Sequence, residues 1–220
     1  MKIVDETIEF VKSTLSGAEG GHDWWHIHRV LQNARTIAAK ENANMLICEL
    51  GALLHDIADP KFHAGDEKKG SLIAERFLKS LSVPGKQIAA VLEIIENISF
   101  SKGNEPINVK SLELKVVQDA DRLDAIGAIG IARAFNYGGF KNRLMFDPDI
   151  PPKIYSNSTE YRNSNSPTIN HFHEKLLLLK DLMNTRTGKE LAVKRHEYML
   201  KFLEEFHKEW NGEDVTDVTT

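Results

Sequence analysis

The stretch that most constrains this chain is Ile47-Cys48-Glu49-Leu50-Gly51-Ala52-Leu53-Leu54, which runs directly into His55-Asp56. Wound as a helix, the run is apolar nearly all the way round, apart from Glu49, and so belongs in an interior. Other elements must therefore surround it, and its end must accept an imidazole and a carboxylate. A buried carboxylate with no partner is costly, so Asp56 needs a cation, a set of hydrogen-bond donors or a metal ion. A metal would answer the problem for both residues at once. Adjacent helical positions point about 100° apart, so His55 and Asp56 reach one ion only from the helix end or beside it. Further ligands must come from elsewhere in the chain.

The rest of the sequence offers helical surroundings. Val4 to Leu15 carries Ile8, Val11 and Leu15 on one face. Trp24 to Asn42 carries Ile27, Val30, Leu31, Ala34, Ile37 and Ala38 as one stripe, with His26 at its border. The buried helix spans Asn44 to Asp56, and Asp59-Pro60 ends it, because the residue before proline disfavours the helical region. Further helices are expected over Asp66–Leu81, Lys86–Ile98, Ser111–Asp121, Ile126–Tyr137, Thr168–Asn184 and Thr187–Asn211. In the last of them, Met199, Phe202, Leu203, Phe206 and Trp210 form the inner stripe. There is no period-2 segment, internal repeat or heptad array. The expectation is an all-α fold with a single domain over residues 1–212, its core at about 21–137 and the helices of 168–211 packed on that core. Residues 138–167 form a long proline-containing loop, either a surface insertion or a substrate lid. Residues 213–220 are a polar tail.

Composition narrows the function classes. At 220 residues with 41% hydrophobic and 27% charged side chains, the chain has an ordinary globular balance. No apolar run approaches the roughly 18 residues of a membrane span, and Met1 to Glu6 lacks a signal-peptide core. The single cysteine, Cys48, excludes an internal disulfide and fits a reducing cytosol, so a cytoplasmic protein with no membrane partner is expected. A net charge of −4 argues against broad nucleic-acid binding. A negatively charged substrate would need a local basic pocket or a metal.

Two segments can complete a site with His55-Asp56. Upstream is His22-Asp23-Trp24-Trp25-His26-Ile27-His28-Arg29-Val30; downstream is Asp119-Ala120-Asp121-Arg122-Leu123-Asp124. The order His, His-Asp, Asp resembles the histidine–aspartate (HD) phosphohydrolase superfamily. The likeness extends from about Gly21 to about Trp210, through Glu96-Asn97-Ile98-Ser99-Phe100 and Asn170-His171-Phe172-His173-Glu174-Lys175-Leu176, and lies nearest to small bacterial single-domain members similar to nucleotide pyrophosphohydrolases.

Matched position by position, the resemblance implies a metal held by His26, His55, Asp56 and Asp121, with Asp119 as the rival to Asp121. Two imidazoles and two carboxylates suit a divalent transition ion such as Mn²⁺, Fe²⁺, Ni²⁺, Co²⁺ or Zn²⁺. One ion is expected, since Glu93 to Ser99 lacks the histidines that some relatives use for a second. The implied reaction is attack of metal-bound water on phosphorus. Asp59, at a position that is acidic in related enzymes, is the general-base candidate. Lys102 and Arg122 are candidates to pair with phosphate oxygens, with Lys175 and Arg195 behind them; His22 is a pocket candidate, and Asp124 a supporting residue.

The implied partner is a phosphorylated small molecule, a nucleoside mono-, di- or triphosphate, and a homodimer is left open. Three rival readings remain. One is hydrolysis of the alarmone (p)ppGpp, although no doubled acidic motif follows His-Asp. Another is a metal-binding sensor or interaction module without turnover. The third is a zinc protease built on His22 and His26, where Asp23 would replace the catalytic Glu of His-Glu-x-x-His and no distal ligand motif follows.

Overall fold

The structure, a computed structural model, describes residues 2–16, 23–57, 68–98, 111–155, 160 and 164–213. Among the described residues every regular element is helical, which agrees with the all-α, single-domain expectation. The apolar run becomes α3, Met45–Leu54, with Asn44 as N-cap accepting from the Ile47 amide at 3.2 Å. Cys48 and the whole of Leu50 to Leu54 are buried. Four helices wall α3 in: α1 (Lys2–Thr14), α2 (Trp24–Glu41), α5 (Gly85–Asn97) and α6 (Leu112–Asp124). Between them in sequence, α4 (Lys68–Ser80) packs on α5.

Of these, α2 is the central partner, lying against both α3 and α6. Its expected stripe is realised: Ile27, Val30, Leu31, Ala34, Ile37 and Ala38 are each at most 1% exposed. Burying one large aliphatic side chain contributes about 1.5–3 kcal/mol, so this stripe fixes the rotation of α2 about its axis. Asp23 caps the helix by accepting from the His26 amide at 2.9 Å. With the helix start and the stripe both set, His26 is turned inward, 3% exposed.

The second half wraps this core. Leaving α6, the chain turns at Gly127, whose φ of +76° falls in the left-handed region that favours glycine. Then come α7 (Gly127–Phe140), α8 (Thr168–Glu174), a 3₁₀ helix (Leu176–Leu182) and α9 (Arg186–Asn211), which lies on α7, the 3₁₀ helix, α6 and α2.

Two elements differ from the periodicity. The first is α7, which continues past Tyr137 through Gly138. A β-carbon at Gly138 would sit 2.2 Å from Thr168 Oγ1, so glycine there lets the start of α8 lie against α7. The second is the single helix expected over Thr168–Asn184, which breaks at Lys175 (φ −147°, ψ −54°) into α8 and the 3₁₀ helix. At three residues per turn, side chains three apart eclipse, and this puts Leu176 and Leu179 together in the core, 3% and 4% exposed.

The described part of the 138–167 segment is bonded to α8. The Thr168 and Ile169 amides donate to Leu144 O and Met145 O, Asn170 Nδ2 donates to Ile150 O at 2.7 Å, and Glu174 Oε1 accepts from Ser166 Oγ at 2.8 Å.

Candidate metal centre

Three helices deliver the candidate ligands. His26 stands in the first turn of α2, His55 is the C-cap of α3 with Asp56 next to it, and Asp121 lies in the last turn of α6. His26, His55 and Asp56 each place a ligand atom within 4.8 Å of the others. Asp121 Oδ1 lies 3.5 Å from His26 Nε2 and 4.0 Å from His55 Nε2. The two imidazole rings stand at 70° with centroids 5.5 Å apart.

These separations can be compared with what an ion requires. Two N/O donors on one ion, each about 2.0–2.2 Å from it, are at most about 4.4 Å apart. The Asp121 distances to both imidazoles fall inside this limit, and the ligand atoms of His26, His55 and Asp56, within 4.8 Å of one another, lie close to it. The donor set also suits a divalent cation in charge, because two carboxylates balance it. The residues present therefore fit a single divalent ion. The centre is also graded in exposure: the His26 and His55 side chains are 4% exposed, whereas Asp121 is 38% exposed. The cluster thus opens to solvent on the Asp121 side.

The far nitrogen of each ring is engaged. His55 Nδ1 lies 2.9 Å from Ala52 O, and a carbonyl oxygen only accepts, so Nδ1 carries the proton. His26 Nδ1 lies 2.8 Å from Asp124 Oδ2. Burial alone would push the Asp124 carboxyl up. Hydrogen bonds from His26 and Arg29 and the charge of Arg133 outweigh burial and hold it well below the usual carboxylate range. Arg29 Nε donates to Asp124 Oδ1 at 2.6 Å, Arg29 Nη2 to Oδ2 at 3.0 Å, and Arg133 Nη1 to Oδ2 at 2.5 Å.

Asp119, the rival ligand, is used differently. It is fully buried and accepts from the amide and Nδ2 of Asn184, at 2.8 and 2.9 Å, and from the amide and Oγ1 of Thr185, both at 2.7 Å. Thr185 is the N-cap of α9, so Asp119 anchors the closing helix.

Two of the basic residues expected at phosphate donate to backbone carbonyls. Arg122 Nη1 donates to Leu182 O at 2.6 Å and lies 3.7 Å from Asp119 Oδ1. Arg195 donates to Leu123 O, and at 3.0 Å to Asn33 Oδ1, tying α9 to α6 and α2. Both side chains therefore join helices. Lys175 sits at the break between α8 and the 3₁₀ helix, close enough to His171 to influence its ionisation. His22, Asp59 and Lys102 lie outside the described residues.

Sequence reasoning did not single out Arg29 or Arg133. Arg29 had a signal, since it stands in the His-x-x-Arg-Val phrase one turn after His26. Arg133 had none, because its contact with Asp124 depends on the turn between α6 and α7.

A helical enclosure with a His, His-Asp, Asp cluster at the meeting of three helices defines a class, and comparison with known proteins gives the same class. The chain belongs to the HD domain family, whose model matches residues 24–126, and so to the HD superfamily of hydrolases. An HD-superfamily hydrolase from Bacillus thuringiensis shares 46% identity with it, covering 94% of this chain and 96% of its own, with a TM-score of 0.76. Bacillus subtilis YpgQ is 37% identical over 216 residues, 98% of this chain and 97% of YpgQ. The crystal structure of YpgQ in complex with ADP superposes with a TM-score of 0.75, covering 99% of this chain and 97% of that one.

Proposed function

We propose that this protein is a divalent-metal-dependent phosphohydrolase acting on nucleotides. The observation that carries the reading is the grouping of His26, His55 and Asp56, with Asp121 Oδ1 within 4.0 Å of both imidazoles, a half-open set of two imidazoles and two carboxylates. The ADP bound to YpgQ supports nucleotides as the substrate class, since that relative matches this chain over nearly its whole length.

On this reading His26 and Asp121 hold the ion from α2 and α6, and His55 and Asp56 hold it from the end of α3. A divalent transition ion bound there supplies Lewis acidity at a phosphoryl oxygen and lowers the pKa of water. The buried imidazoles shield one side, and the exposed edge of Asp121 leaves the other open to a phosphate group. Asp59, three residues beyond Asp56, takes the proton from the attacking water.

A screen tests the reading. Metal-stripped protein is given each of Mn²⁺, Fe²⁺, Ni²⁺, Co²⁺ and Zn²⁺ with a panel of nucleoside mono-, di- and triphosphates, and both phosphate and pyrophosphate are measured. Phosphate release would mark a phosphatase and pyrophosphate release a pyrophosphohydrolase. Silence across the panel with metal bound would overturn the enzymatic reading and favour a metal-binding sensor.

A further inference from the structure

The two histidines of the cluster are held in different ways. His55 is oriented by a carbonyl of its own helix, Ala52 O. His26 is oriented across a helix boundary by Asp124 of α6, and that carboxylate is itself held from two further directions. We propose that Asp124 is the positioning residue that presents His26 to the metal, and that Arg29 and Arg133 form the clamp that keeps Asp124 in place. The inference rests on the metal-binding reading above.

The geometry of the carboxylate supports this. Arg29 lies one turn after His26 on α2, so both side chains leave the same face of one helix and meet the same residue of another. The Arg29 fork takes both carboxylate oxygens, Nε on Oδ1 at 2.6 Å and Nη2 on Oδ2 at 3.0 Å, which fixes the carboxylate plane. Within that plane Oδ2 meets His26 Nδ1 at 2.8 Å. Arg133 closes the remaining side and binds twice, Nη1 to Oδ2 at 2.5 Å and to the Asp124 carbonyl at 3.2 Å. Asp124 therefore cannot turn away from His26 without breaking both guanidinium contacts. The ring is held with Nδ1 as donor and Nε2 directed at Asp121 Oδ1, 3.5 Å away. A histidine ligand whose other nitrogen donates to a carboxylate has its tautomer and ring orientation set by that bond. The arginine of the His-x-x-Arg phrase then serves the metal through Asp124.

The test uses the full-length protein, stripped of metal and titrated with Co²⁺ against a chromophoric chelator. It has a second readout, the ring ¹⁵N shifts of His26 in the metal-free state. Asp124→Asn keeps the size, but its amide cannot accept from His26 and both Arg29 donors at once. It should weaken Co²⁺ binding by about 10–100-fold and shift the His26 ring nitrogens towards a mixture of tautomers. Arg29→Lys keeps the charge but loses the fork, and should move both readouts in the same direction by less.

Parent-like affinity in Asp124→Asn would overturn the inference. So would lost affinity with unchanged His26 ring shifts, because Asp124 would then act only on the fold. If circular dichroism shows Asp124→Asn to be unfolded, Arg29→Lys carries the same two readouts, and parent-like values for either overturn the clamp. A parent protein that binds no divalent ion would remove the metal reading as well. Binding by the parent with an unperturbed variant removes only this inference.

Discussion

Replacing Asp119 with asparagine separates the structural carboxylate of α6 from the proposed ligand carboxylate two residues later. Asp119 has no exposed surface, and its two oxygens accept four hydrogen bonds, from the Asn184 amide and Nδ2 and from the Thr185 amide and Oγ1. An amide offers only one oxygen. If its NH₂ replaces Oδ2, it faces the Thr185 amide, another donor. The Thr185 hydroxyl, which already accepts from the Gly188 amide at 2.9 Å, must also turn round. If the NH₂ replaces Oδ1, it faces both donors of Asn184.

Either way about two hydrogen bonds to a charged acceptor are lost, each contributing roughly 1.5–3 kcal/mol. Relief of the carboxylate's own desolvation offsets part of this, leaving an expected loss of about 3 kcal/mol. That is a large fraction of the roughly 5–15 kcal/mol by which domains are stable. With a urea m-value near the upper end of about 1–3 kcal/mol/M, the unfolding midpoint should fall by about 1 M. The measurement is urea unfolding followed by far-ultraviolet circular dichroism with chelator present, so that bound metal does not contribute. Metal affinity, measured separately on the folded variant, should stay near that of the parent. A midpoint within experimental error of the parent would refute the reasoning from Asn184 and Thr185. Loss of metal at unchanged stability would move Asp119 back among the ligands.

Three further outcomes are expected. Asp59→Asn should keep the metal and lose about 10²–10⁴ in kcat, whereas Asp56→Asn should lose the metal and recover part of its activity in excess ion, as metal analysis and steady-state kinetics would show. Burial, with the charges of Lys175 and Arg143, lowers the His171 pKa from 6.5 to about 3. The unfolded chain therefore binds the extra proton in this window, so the His171 contribution is full above pH 6.5 and lost as pH falls towards 3, and His171→Asn should flatten the acid limb of the stability–pH curve. Burial, with Glu113 and Glu49 nearby, pushes the Cys48 thiol up to about 12, so a disulfide reagent at pH 8 should label it only on unfolding.

The parts of the fold that were legible are those where one short period decides the outcome. The α2 stripe fixes which side of the helix is buried, and His26 at its border follows it inward. The apolar run of α3 could only lie at the centre, so its end had to carry His55 and Asp56 into the enclosure. The 138–167 segment was less legible, because its described residues are held by contacts that no local pattern encodes. Thr168 pairs with Leu144, 24 positions earlier, and Glu174 accepts from Ser166 and from the Lys153 amide. The break at Lys175 was equally hidden. Leucine at four successive positions suits an α-helix and a 3₁₀ turn alike, so no local pattern separates the two.

Within the centre, the same limit bears on the charged residues. Asp119 and Asp121 differ by two helical positions, about 200° of rotation, so one faces the histidines and the other α9. Residue type alone does not separate them, since the Asn184-Thr185 donors that claim Asp119 lie 65 and 66 residues further on, and only the resemblance of Ala-Asp-Arg-Leu favours Asp121. Arg122, and more weakly Arg195, are phosphate candidates from the sequence because a guanidinium pairs with phosphate oxygens. Yet a guanidinium with five donors is also well suited to joining backbone carbonyls between packed helices, and Leu182 O and Leu123 O take that role. Burial separates the two kinds of carboxylate in α6. Asp119 and Asp124 are almost wholly enclosed, with every oxygen committed to protein donors. Asp121 is 38% exposed beside two enclosed imidazoles, an arrangement that leaves it accessible from solvent, as the proposed ion and its substrate would require.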